Sequence, residues 1–143
     1  MRPKNFKYSK YQKRLVKGHN LNALEWKSNS LKFGDIGLQV INSGFLTEKQ
    51  LQAGLQIIRR KLRKQGQVWV RVFPSTSITK KPIETRMGKG KGKVDSWGIY
   101  VKGGQLLYEI TGVSLFIGKK ILIQSGHKFS LKTQIISNKG LIV

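Results

Sequence analysis

The sequence predicts an α+β fold, in which an antiparallel β-sheet sandwich packs against two helices and a basic arm precedes the domain. Short apolar segments alternate with glycine-containing turns, a pattern that is typical of strands. A segment between residues 47 and 66 carries both a helical apolar period and capping residues. Residues 1–30 lack a steady period and are rich in lysine. We therefore divide the chain into an arm, residues 1–30, and a single domain, residues 31–143.

The net charge limits the functions that the chain can have. Its 143 residues include 28 Lys and Arg against six Asp and Glu, for a formal net charge of +22. Such a chain repels itself, so its expected partner is a dense polyanion, which means RNA, DNA or an anionic membrane. The absence of cysteine excludes disulfides and thiolate chemistry. The most apolar stretch, residues 113–123, is interrupted by Gly118, Lys119 and Lys120, so no membrane span is predicted.

The first domain elements are one or two short strands and a helix. Residues 31–46 are apolar with three glycines, which indicates strands with tight turns. Thr47 is a good N-cap with Gln50 at the capping-box position, and Gly66 is the predicted stop. The apolar stripe of the helix consists of Leu51, Leu55, Ile58 and Leu62. Its last turns carry the cations Arg59, Arg60, Lys61, Arg63 and Lys64, which face solvent or phosphate.

The remaining elements are four strands and a second helix. Residues 67–73 alternate as a strand that ends at Pro74, and a further strand begins near Asp95. Gly103 and Gly104 predict a hairpin turn into a strand over residues 106–110. Residues 114–125 form a weaker predicted helix, and residues 131–137 a last strand. Two tryptophans, Trp69 and Trp97, lie in predicted strands, where packing is expected rather than base stacking.

The arm interleaves cations with aromatic rings. Its lysines at positions 4, 7, 10, 13 and 17 surround Phe6, Tyr8 and Tyr11. Aromatic faces can stack on exposed bases while ammonium groups meet phosphates. This pattern favours an arm that threads through RNA. The alternative is a solvated basic tail whose aromatic residues anchor it to the domain.

The segment Arg86–Lys93 places glycine at every second position, alternating with lysine. Glycine lets the backbone approach a ligand closely. The segment is not a phosphate-binding P-loop, because Lys93 is followed by Val94 and a predicted strand, and its glycine spacing differs from the dinucleotide fingerprint. It indicates a flexible cationic finger suited to the RNA backbone. An ordinary solvated loop is nearly as compatible with the residues alone.

No catalytic or metal-binding set is recognisable. Two histidines cannot build a metal site without cysteines, and the six acids stand singly along the chain. The sequence therefore predicts no enzyme, no cofactor and no small-molecule substrate. A free-standing RNA chaperone remains an alternative. A membrane-surface protein would need a sustained basic amphipathic helix, whereas the helix after Thr47 has core-type caps and strand neighbours.

The central block of the chain resembles a known family. Its segments Trp69–Pro74, Ile78-Thr79, Lys81-Pro82 and Arg86–Gly92 are similar to the bacterial and organellar L-sixteen family of large-subunit ribosomal proteins. The similarity continues through Trp97, Leu107–Glu109 and Gly112-Val113, and back through Phe33-Gly34, Leu46-Thr47 and Pro3-Lys4. It covers nearly the whole chain. It departs over Ser114–Ile121, where the family has an alanine- and acid-rich helix, so a shortened or distorted helix is expected.

The resemblance implies an α/β sandwich that binds large-subunit rRNA near the entry site of the aminoacyl-tRNA arm. It implies that a loop directed toward tRNA consists of Arg86, Met87, Gly88, Lys89, Gly90, Lys91 and Gly92. Together with the charge pattern, it assigns rRNA binding to Lys4, Lys7, Tyr8, Lys10, Tyr11, Lys13, Arg14, Lys17, Arg59, Arg60, Arg63, Lys64, Arg71 and Lys93. The expected partners are large-subunit rRNA, the tRNA acceptor arm and neighbouring ribosomal proteins.

The expected location is an organelle. The chain begins where family members begin, and its excess of Lys over Arg with abundant Ile, Ser and Asn is typical of an A+T-rich genome. These features predict an organelle-encoded protein of the mitochondrial ribosome, with plastid or bacterial origin as alternatives.

Overall fold

The computed structural model describes residues 3–12, 25, 27–88, 90–138 and 140–142. The strands in this part of the chain are β1 (Ile36–Val40), β2 (Gly44–Thr47), β3 (Gln67–Val70), β4 (Thr76–Lys80), β5 (Lys93–Val101), β6 (Leu106–Thr111), β7 (Thr133–Ser137) and β8 (Gly140–Ile142). The helices are α1 (Glu48–Leu62) and α2 (Leu115–Gly126). The predicted α+β class is confirmed. Strands β4 and β8 were not predicted.

The strands form two antiparallel sheets. One has the order β3-β6-β1-β7-β8 and the other the order β2-β5-β4. Strands β5 and β6 therefore belong to different sheets, and the predicted hairpin at Gly103-Gly104 is wrong. The residues of β6 from Leu106 to Ile110 are buried, and β6 pairs with β1 on one side and β3 on the other. Both edges of β6 are thus occupied, and the two glycines connect one sheet to the other.

Helix α1 begins as predicted but ends differently. The Thr47 hydroxyl accepts a hydrogen bond from the Gln50 backbone N–H at 3.3 Å, and the Gln50 side chain accepts one from the Thr47 N–H at 2.9 Å. The helix ends at Leu62, and Arg63 rather than Gly66 takes the positive φ, at 52°. Gly66 instead permits a close approach, because a Cβ there would lie 2.5 Å from the Thr111 carbonyl oxygen.

The core lies between the helices and the sheets. The predicted stripe of α1 is buried, and the Tyr108 hydroxyl donates to the Leu51 carbonyl oxygen at 2.7 Å. Helix α2 is a regular helix of 12 residues, so the expected shortening or distortion is not observed. Gly118 lets this helix lie against β1, because a Cβ there would meet the Ile36 side chain at 2.5 Å.

Candidate nucleic-acid interface

The glycine-lysine segment is the connection between two paired strands. Strands β4 and β5 are antiparallel, and their ladder closes with Lys80 opposite Lys93. The chain between these two lysines therefore projects from the end of the three-stranded sheet. Strand β4 was not predicted, because the segment TSITK has no long apolar alternation. The loop is thus supported at its base by the paired ends of β4 and β5.

The loop itself makes few contacts with the rest of the protein. Gly88 and Gly90 have φ angles of 101° and 77°, a region that side chains with a Cβ rarely adopt. Among the described residues, nothing lies within 4 Å of the Cβ position at either glycine. Met87, which precedes Gly88 on the β4 side of the loop, is 100% exposed. The Lys81 ammonium group donates to the Gly88 carbonyl oxygen and ties the two branches together.

Positive charge is concentrated on this loop. The segment from Lys80 through Lys93 holds six Lys and Arg, the two end residues included, and a single acid, Glu84. An open groove of about 610 Å³ runs between the two branches and is lined by residues of both. Since Arg86 and Lys91 are exposed, their charged groups are available to a phosphate backbone. Lys89 lies outside the described residues.

The N-terminal arm lies beside this loop. The Lys10 ammonium group donates to the Lys91 carbonyl oxygen at 3.2 Å, and the Lys91 ammonium group donates to the Tyr11 carbonyl oxygen. The Phe6 ring packs on Trp97 of β5 with 5.2 Å between ring centroids. The arm and the loop therefore form one continuous cationic surface, which we name the arm–loop surface and define as residues 3–12, 80–88 and 90–93. Nothing in the sequence indicated this proximity.

The arm combines an anchor with exposed groups. Phe6 is the anchor, in agreement with the alternative interpretation of the aromatic residues, whereas Tyr8 is 66% exposed. The predicted arm residues that are exposed are Lys4, Lys7, Tyr8, Lys10 and Tyr11. The predicted residues Lys13, Arg14 and Lys17 lie outside the described part of the chain. Trp97 is half-buried under Phe6, which confirms its predicted packing role.

The cations of α1 form a second basic region. Arg59, Arg60, Arg63 and Lys64 are all exposed at the end of the helix. An open groove of about 340 Å³ separates this helix end from the end of α2 and is lined by Arg60, Lys61, His127 and Lys128, among others. The cations at the end of α1 lie near the C-terminus of that helix, where the helix dipole favours positive charge.

Arg71 differs from the other predicted rRNA ligands. Its guanidinium forms an ion pair with the Glu109 carboxylate, and the two side chains are 11% and 0% exposed. Glu109 stands as a single acid in the sequence, and this pair was not predicted, because 37 residues separate the partners. Only the pairing of β3 with β6 brings them together. Arg71 as an rRNA ligand stays a prediction, and the proposals below do not depend on it.

The Glu109 carboxylate is held by several groups. Burial alone would raise the pKa of this carboxyl, but hydrogen bonds from the backbone N–H groups of Phe33, Gly34 and Lys32, together with the charge of Arg71, hold its pKa below the usual range. The three N–H to oxygen distances are 2.7, 2.9 and 3.1 Å. The ionised Glu109 carboxylate therefore holds the segment of chain that precedes β1 in place.

The described residues contain no group of three His, Asp or Glu side chains arranged to hold a metal ion. None of the helices within the same residues is long and apolar enough to cross a bilayer.

Comparison with known proteins identifies the family. The family described as Ribosomal protein L16p/L10e matches residues 3–136. Large ribosomal subunit protein uL16c of Oltmannsiellopsis viridis is 38% identical over 135 residues, covering 94% of this chain and 97% of the relative. The protein of the same name from Cyanidium caldarium is 38% identical over 136 residues, covering 95% and 94%. The chain belongs to the ribosomal protein L16p/L10e family.

Membership of this family confirms the resemblance and the expectation that the protein is not an enzyme. The protein is a structural constituent of the large ribosomal subunit and acts in translation. Its partners are accordingly the RNA and proteins of that subunit.

The mitochondrial location predicted from composition is wrong. Both relatives carry the designation uL16c, the chloroplast form, which points to the plastid. The bias toward Lys and Ile reports an A+T-rich genome and does not distinguish one organelle from another.

Proposed function

We propose that the arm–loop surface binds large-subunit rRNA near the aminoacyl-tRNA site and that the loop Arg86–Gly92 helps to position tRNA. The observation that carries this proposal is the geometry of the loop, which is exposed, cationic, rich in glycine and joined to the arm through Lys10 and Lys91. Lys and Arg on such a surface gain affinity for RNA by releasing counterions from its phosphates.

The loop contributes little to folding. Met87 is fully exposed, and no atom of the residues that the structure describes lies within 4 Å of the Cβ positions of Gly88 and Gly90. Glycine is costly to order, because it loses more conformational freedom on folding than any other residue. A glycine-rich segment without core contacts is therefore better explained by a close backbone approach to a ligand. The planar guanidinium of Arg86 can hold one phosphate with two hydrogen bonds or stack on a base.

The two parts of the surface have different expected roles. Phe6 fixes the arm on Trp97, which leaves the arm lysines and Tyr8 to contact rRNA. The loop extends beyond the paired strand end and can reach a mobile ligand such as the tRNA acceptor arm. The exposed cations at the end of α1 supply a further rRNA contact.

Photo-crosslinking from Met87 tests this function. A photoreactive amino acid at Met87 should crosslink to tRNA in assembled ribosomes with an occupied aminoacyl-tRNA site, and to adjacent rRNA when that site is empty. The same amino acid at Phe116 of α2, which is 78% exposed, is the matched control and should not reach tRNA. Absence of a tRNA crosslink from Met87 in the occupied ribosome would reject the positioning role.

Salt dependence tests the rRNA contact separately. Affinity of the protein for a large-subunit rRNA fragment should fall by about 0.9 log unit per log unit of salt for each phosphate contact on a duplex, and by about 0.7 on single strands. Replacing Lys4, Lys7 and Lys10 by Ala should make that slope shallower by the amount that corresponds to roughly two to three phosphate contacts. Binding that hardly changes with salt would remove phosphate contact as the main driving force.

A further inference from the structure

An exposed aromatic ring lies on the side of the five-stranded sheet that faces away from α1. Phe33 is 59% exposed, and its ring lies over Trp69 with 6.1 Å between centroids and 25° between ring planes. The Arg71 guanidinium carbon is 5.3 Å from the centroid of the same ring. We name Phe33, Trp69 and Arg71 the Phe33 platform.

The topology explains which face of the sheet the platform occupies. Trp69 lies directly opposite Glu109 in the pairing of β3 with β6, so their side chains share one face. Tyr108, the neighbour of Glu109, points to the other face and donates to Leu51 of α1. The platform therefore lies on the face opposite to α1. The chain preceding β1 contacts β6 there, since the Leu106 N–H donates a hydrogen bond to the Ser28 carbonyl oxygen.

The backbone at Phe33 is held by hydrogen bonds to one buried carboxylate. The ionised Glu109 carboxylate accepts hydrogen bonds from the backbone N–H of Phe33 and of both its neighbours, at 2.7 to 3.1 Å. The same carboxylate pairs with Arg71, which in turn contacts the Phe33 ring. One buried acid thus fixes both the backbone under Phe33 and the cation beside its ring, so the ring pays little ordering entropy when a ligand binds.

We propose that Phe33 is a stacking site for an unpaired nucleobase of RNA. A large aromatic side chain that is held in place yet more than half exposed adds little to the core and has a free ring surface on which a base can stack. Arg71 is paired with the buried Glu109 carboxylate, so the stacking site does not rely on Arg71 for its phosphate contact. The exposed neighbour Lys32 supplies the cation for the phosphate next to the stacked base.

This proposal rests on the proposed RNA-binding function but concerns a surface outside the arm–loop surface. The two make different demands on the ligand. Phosphate contact works with duplex and single strand alike and depends steeply on salt. Stacking requires an unpaired base, tolerates different bases, and contributes nothing to the salt slope.

The test measures binding of the full-length protein to a 12-nucleotide single-stranded RNA and to an RNA duplex of the same length. Phe33→Leu keeps an apolar cover over Arg71 but removes the ring. It should weaken single-strand binding roughly tenfold with an unchanged salt slope, and leave duplex binding unchanged. Phe33→Trp should retain the affinity. Phe116→Leu makes the same change at another exposed position and should have no effect.

Several outcomes decide the proposal. Equal single-strand affinity of the wild type and Phe33→Leu would overturn it, as would an equal loss for the duplex. If Phe33→Leu lowers the melting temperature, the comparison is repeated with Phe33→Trp and Phe33→Tyr, and loss of affinity in these well-folded aromatic variants would also overturn it. The Met87 crosslink and the arm salt slope should persist in Phe33→Leu, so failure of the stacking site and failure of the proposed function are distinguishable.

Discussion

Replacing Glu109 by Ala should lower the free energy of unfolding by about 3–5 kcal/mol, the cost of breaking a buried ion pair by removing one partner. The variant leaves the Arg71 guanidinium, 11% exposed, without its carboxylate. It also removes the acceptor of three backbone N–H groups before β1, and buried donors without partners are costly. Equilibrium urea denaturation followed by circular dichroism measures the effect.

The matched control is Glu84→Ala, since Glu84 is exposed and carries the same charge. Its effect should stay within about 0.5 kcal/mol. Glu109→Gln should lie between the two, because the amide oxygen still accepts hydrogen bonds but carries no charge. A Glu109→Ala variant as stable as the control would show that the pair contributes nothing to folding.

The pH dependence follows from the lowered pKa of Glu109. A carboxyl with a lower pKa in the folded state stabilises the protein fully above its ordinary pKa, 4.5, and this contribution is lost as pH falls toward the folded-state pKa. The stability difference between the wild type and Glu109→Gln should therefore be constant at neutral pH and shrink below about pH 4.5. A difference that does not change down to pH 3 would contradict this assignment.

Replacing Arg86, Lys89 and Lys91 by Ala should slow aminoacyl-tRNA accommodation while leaving stability within about 0.5 kcal/mol. Gly88, Gly90 and Met87 make no core contact with the described residues. Lys91→Ala also removes an exposed hydrogen bond to the Tyr11 carbonyl oxygen of the arm, so the change acts on the ligand and on the arm–loop contact rather than on the core. If the three cations together stabilise the transition state of accommodation by about 1.4 kcal/mol, their removal slows accommodation about tenfold. Rapid kinetics on fully assembled mutant ribosomes measure the rate.

Two further variants isolate the cause. Gly90→Val removes no charge, but it should also slow accommodation, because the residue has a φ of 77° and a branched side chain would obstruct a close ligand. Replacing Lys120, Lys128 and Lys132 by Ala removes the same charge from other exposed positions and should leave the rate unchanged. Wild-type rates in the loop variants, with defects only in assembly, would instead assign the loop to rRNA packing.

Local patterns determined the elements that depend on neighbouring residues. The capping box at Thr47 and the stripe from Leu51 to Leu62 were predictable, because capping and helical periodicity involve residues only three or four positions apart in the sequence. The alternation from Gln67 onward identified β3 for the same reason. Charge and the glycine-lysine spacing also singled out the loop, since exposed cationic residues need no tertiary partner to be recognised.

Tertiary structure alone decided which residues meet. No local pattern shows that β5 leaves β6 for the other sheet, because strand partners are chosen by burial of whole faces rather than by the turn between them. The position of the arm beside the loop depends on the packing of Phe6 on Trp97 of β5, 91 residues apart in the sequence. The Arg71–Glu109 pair and the Phe33 platform likewise depend on the register of β3 with β6. The sequence by itself thus determined the helices, most strands, the charge and the family, whereas the pairing of distant strands decided which charged and aromatic groups are buried together and which remain exposed.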